Sequence, residues 1–130
     1  MTLTEINRSL LAEALSDLLA LIQEGIPHFS HVSAKAINEN TLAIASAKIK
    51  LERIQTEKTQ QFSAQELKVM YWAVKNFHDN TQEYLDSLSL SDPERDDAIF
   101  AYKTANVLLK ELRNDFSQIG IDITAVLPFL

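Results

Sequence analysis

Apolar residues recur along this chain with the period of α-helices. Leu10, Leu11, Ala14, Leu15, Leu18, Leu19 and Ile22 return every three or four positions, which puts them on one side of a helix turning about 100° per residue. With Leu3 and Leu21 they fill about half its circumference, so helix 1 is expected to touch two neighbours and to sit centrally. Thr2 followed by Glu5 has capping-box spacing, and the helix should run to about Glu24. Gly25 is then placed to take the left-handed terminal position, and Pro27 prevents resumption.

Helix 2 is expected from Ser30 or Ser33 to about Gln61, with Ile37, Ile44, Ala47, Leu51 and Ile54 at heptad-like spacing. Thr41–Leu51 alternates in places as a strand would, and Asn38 and Asn40 could interrupt a helix. Five alanines between 34 and 47 favour the helix. Ser63 and Glu66 form a second capping box ahead of helix 3, whose stripe comprises Leu67, Met70, Tyr71, Val74, Phe77, His78, Thr81, Tyr84, Leu85 and Leu88. Asp92 can cap helix 4 with Pro93 at its first position. Ala98, Ala101, Tyr102, Ala105, Leu108, Leu109, Leu112, Phe116 and Ile119 form its stripe, and Gly120 ends it.

Four helices of about 20 to 29 residues with short links predict an all-α fold: an antiparallel, up-down four-helix bundle spanning residues 1–130 as one domain. The apolar tail Ile121–Leu130, with Val126, Leu127, Phe129 and Leu130, is too greasy to stay in water and could cover part of the bundle. Only two glycines and three prolines occur, too little punctuation for the many turns of an all-β fold.

A net charge of −6 argues against direct nucleic-acid binding, which needs a basic face. Residues 26–61 are net positive, with Lys35, Lys48, Lys50, Arg53 and Lys58. Glu39, Glu52 and Glu57 interrupt them, and they are expected to lie between acidic helices. Glu13 and Asp17 break the longest apolar run, so no membrane span is expected, and the absence of cysteine fits a cytoplasmic protein.

Candidate chemistry is sparse. His78-Asp79, with His28 and His31 elsewhere, is similar to the metal-ligating dipeptide of HD-type phosphohydrolases, but the stripe turns His78 inward and Asp79 outward. Glu83-x-x-Asp86 and Glu94-x-x-Asp97 resemble the paired acidic motifs with which all-α nucleotide pyrophosphohydrolases hold Mg²⁺, although Glu83 and Asp86 fall on the solvent side. No histidine has a glutamate three residues before it, as a di-iron bundle needs. There is no Gly-x-Ser-x-Gly elbow and no glycine-rich phosphate loop. No catalytic residue, metal ligand or cofactor is therefore assigned. A helical pocket for a small apolar ligand, lined by Tyr71, His78, Tyr84 and Tyr102, is a further alternative to the enzyme.

The most informative residues lie opposite the stripes. Val69 and Trp72 on helix 3 and Phe100 and Val107 on helix 4 are expected to point outward, as do Leu42 and Ile49 on helix 2. Several such residues on consecutive helices imply a second buried surface. The expected function is a small non-enzymatic protein-binding module, of inhibitor, immunity, antitoxin or adaptor type. It would act through the outer face of helices 3 and 4, with Asp79, Glu83 and Asp86 as a charged rim. The partner is another protein or a second copy in a homodimer.

Overall fold

Hydroxyl caps set where the first three helices begin. In the computed structural model, which describes residues 3–25, 33–53 and 62–120, α1 spans Glu5–Gly25, α2 Ala34–Arg53, α3 Ala64–Ser87 and α4 Arg95–Gln118. Helix accounts for 86% of the described residues, and none of them is in a strand. Thr4 caps α1: its Oγ1 accepts the Asn7 N–H at 3.1 Å. Thr2 lies outside the described residues. Ser33 caps α2 in the same way through the Ala36 N–H.

The α3 start carries the full capping box. Ser63 Oγ accepts from the Glu66 N–H at 3.1 Å while Glu66 Oε1 accepts from the Ser63 N–H at 2.8 Å. Removing the hydroxyl leaves a helix-start donor without its acceptor. Ser63→Ala should therefore cost about 1 kcal/mol, read as a fall in the denaturation midpoint with an unchanged denaturant slope.

Two termini differ from expectation. Gly25 ends α1 without turning left-handed; the one positive φ among the described residues is at Gly120, 78°, just after α4. A Cβ at Gly120 would meet nothing within 4 Å, so the backbone conformation, not space, favours glycine there. Asp92 does not cap α4 from the expected position. Its Oδ1 takes the Glu94 N–H in a turn ahead of the helix, and Glu94 itself makes no side-chain cap bond. Asn40 and Thr41 leave α2 unbroken. Their side chains donate back to the carbonyls of Ala36 and Ile37, four residues earlier, so the polar groups are satisfied within the helix. Residues 54–61, assigned to helix 2 above, and the tail 121–130 lie outside the described residues.

All four helices contribute to one buried cluster, including Leu11, Leu15, Leu18, Ile44, Met70, Val74, Leu108, Leu112 and Phe116. The central helix is α3. It packs most extensively on α4 and α1 and also on α2, whereas α1 meets α4 only along a short stretch and α2 does not touch α4. Tyr71 faces Phe116, His78 faces Tyr102 and Leu85 faces Arg95, a pairing order that makes α3 and α4 antiparallel.

Three packed neighbours explain the principal correction. Val69 was expected outside but is 1% exposed, and Trp72 is half-buried against the core. Assigning α3 a single stripe assumes that one side of the helix stays wet. Over Glu66–Val74 the helix buries more than half its circumference, because α2 covers a side that two-neighbour packing would leave open.

Candidate functional site

Polar residues concentrate where α2 and α3 meet. Glu66 is 4% exposed, yet each carboxylate oxygen has donors: the Lys50 ammonium at 2.6 Å and the Ser63 N–H at one, the Ser46 hydroxyl at 2.8 Å at the other. Burial alone would raise its pKa. The Lys50, Ser63 and Ser46 bonds outweigh that and hold the carboxyl below its ordinary value. Beside it, buried Asn40 accepts from Gln65 Nε2 at 2.8 Å. The spread of basic residues on helix 2 thus has a packing role at Lys50, which answers an acidic residue of the neighbouring helix. This clasp is structural: every group in it is spent on a neighbour.

His78 and Asp79 come closer than the stripe implied. The His78 ring stacks on Tyr102 with 4.6 Å between centroids, and its Nδ1 lies 2.9 Å from Asp79 Oδ1. Lys75 donates to the same oxygen at 2.8 Å. Burial pushes the Asp79 carboxyl up, but the Lys75 and His78 contacts bring it below its ordinary value. Asp79 is therefore already engaged on α3, and among the described residues no three potential ligands gather as a metal site would require. The four rings considered for an apolar pocket do not share a cavity either. Tyr71 packs edge-on against Trp72 and Phe116, His78 and Tyr102 cover each other, and Tyr84 is exposed.

Phe100 and Val107 are exposed as expected, at 57% and 53%. Seven residues apart, they share one side of α4. Tyr102, which stacks on α3, points about 160° away from Phe100 around the helix axis. The apolar pair thus turns its back on α3. Glu83, Asp86 and Asp79 are exposed on α3, the helix that the pair faces away from. Asp97 is the pair's neighbour instead, about 60° round from Phe100.

A separate side of α4, reached from Phe100 through Asp97, lines a groove of about 460 Å³ where α1 packs only sparsely against α4. Phe77, Ala98 and Ala101 supply its apolar floor. Glu13 and Asp17 line it from α1, Glu94 and Asp97 from α4. Tyr84 donates its hydroxyl to Glu94. That bond, with burial and the nearby charges of Glu94 and Asp92, raises the phenol above its ordinary pKa. Among the described residues, no lysine, arginine or histidine lines the groove.

The groove was not anticipated. Glu13 and Asp17 had been read only as charges interrupting an apolar run. Their i,i+4 spacing, which places like charges side by side on a helix, was the available signal.

No helix of the described residues is long and apolar enough to cross a membrane. No family model, curated protein or solved structure matches the chain.

Proposed function

We propose that this protein works by binding another protein through the outer side of α4, opposite its packing on α3. The observation that carries this reading is the pair Phe100 and Val107, more than half exposed on one side of a helix whose opposite side is packed. Large apolar side chains left in water at matched positions gain free energy when a partner covers them, about 25 cal/mol per Å² of area removed from solvent. Relative to the surface first considered, Val69 is buried, Trp72 is half-buried against the core, and the remaining pair lies on the side of α4 opposite α3. Asp97, Glu13 and Asp17 replace the α3 carboxylates as the charged surroundings.

The double substitution Phe100→Ser with Val107→Ser tests it. Both side chains contact solvent, so the melting temperature should stay within about 3 °C of the wild type. Affinity purification with quantitative mass spectrometry should show specific partners that the wild type retains and the variant loses. Identical partner profiles for the two proteins would refute the site. Sedimentation equilibrium reports self-association separately.

A further inference from the structure

We propose that the groove between α1, α3 and α4 receives a basic amphipathic helix of the partner. Its apolar side would lie on Phe77, Ala98 and Ala101, and its lysine or arginine head groups would meet Glu13, Asp17 and Asp97. This inference rests on the protein-binding reading above and adds the chemistry of the partner.

Three observations converge on that occupant. The groove's 460 Å³ falls within the range of about 300–1,000 Å³ typical of binding pockets, and its floor is apolar. Its charge is of one sign. Glu94 spends one acceptor on Tyr84, while Glu13, Asp17 and Asp97 have no hydrogen bond or ion pair among the described residues. Exposed apolar positions lie outside the lining itself: Ile6 and Leu21 on α1, close to the line of Glu13 and Asp17, and Phe100 on α4, about 60° round from Asp97. A helix laid in a groove uses anchors at i, i+3, i+4 and i+7, and long cationic side chains rest their methylene stems on apolar surface while the charge reaches a carboxylate.

A second copy of this chain fits poorly, because a two-fold contact through this face sets carboxylates against carboxylates. A small free polyamine would answer the charges but leave the apolar walls uncovered.

The test uses the full-length protein and a synthetic leucine–lysine amphipathic peptide of about 18 residues, long enough to fold on contact. Isothermal titration calorimetry at two salt concentrations should show binding that weakens as salt rises. Glu13→Gln with Asp17→Asn should weaken it about tenfold, whereas Glu83→Gln with Asp86→Asn, an equal charge change on the outer side of α3, should change it less than about twofold. The groove variant should melt at or slightly above the wild-type temperature, since it removes an i,i+4 like-charge pair.

Equal weakening by both double variants would reduce the effect to net charge and overturn the proposal. So would absence of binding to the wild type, or displacement of the peptide by spermidine at matched charge concentration. If the Phe100→Ser/Val107→Ser protein loses its cellular partners while the groove variant keeps them, the groove inference falls and the binding function stands. If neither variant loses them, both fall.

Discussion

Val69→Asp should abolish cooperative folding or lower the melting temperature by roughly 15 °C or more, while Phe100→Asp should leave it within about 3 °C of the wild type. Both residues look alike in a helical projection, each lying off the main stripe of its helix. Their surroundings differ: Val69 is 1% exposed between α3 and its neighbours, and Phe100 is 57% exposed. A carboxylate at position 69 would have no water, and the apolar cluster around it offers no counter-charge. Desolvating it, or protonating it to avoid that cost, takes several kcal/mol, of the order of 4 or more. For a domain of this size each kcal/mol moves the midpoint by roughly 4 °C. Thermal unfolding followed by circular dichroism decides the contrast, and equal effects from the two substitutions would undo the assignment of α3 as the central helix.

Glu66→Ala is expected to cost about 3 kcal/mol, combining loss of the helix cap with a Lys50 and a Ser46 left without their acceptor. Its pH dependence is the sharper signature. The native pKa of Glu66 is lowered, so its stabilising contribution is complete above the ordinary carboxyl value of 4.5 and is lost as pH falls through the lower native value. Glu66→Gln should therefore be less stable than the wild type at neutral pH, with the difference narrowing on acidification. Asp79 has a lowered pKa too, but its side chain is half exposed and solvent screens its pairs with Lys75 and His78. Asp79→Asn should alter the acid profile little. Urea denaturation at a series of pH values measures both. An unchanged gap between wild type and Glu66→Gln from neutral to acid pH would show that the carboxylate is not held in its charged form by the clasp.

Much of this architecture was legible in the order of residues. Ser63 with Glu66, the stop at Gly120 and the inward stripe of α4 from Ala98 to Phe116, though not its last member Ile119, follow from capping and periodicity, which act within a few residues of one another. The outward positions of Phe100 and Val107 followed from the same phase. Val69 did not, because phase tells which way a side chain points and not how many helices surround it. A hint was present in Leu67–Val74, where only Lys68 interrupts a stretch apolar nearly all the way round, the composition of an enclosed helix. The second use of Glu66, as acceptor for α2, depends on Ser46 and Lys50 arriving from sixteen to twenty residues away. The groove depends on how far α1 and α4 part, a distance set by the volume of the packed layers and by no local pattern. Its α1 wall was nevertheless visible as two acidic positions four residues apart, Glu13 and Asp17.

That α2 and α4 never touch has a consequence for how the protein can change over generations. Leu42 and Ile49 on the one helix and Phe100 and Val107 on the other look out from separate sides of a shared interior, with no common contact to couple them. Substitutions at the two pairs should combine additively, so either exterior can be remodelled for a new binding role without disturbing the other.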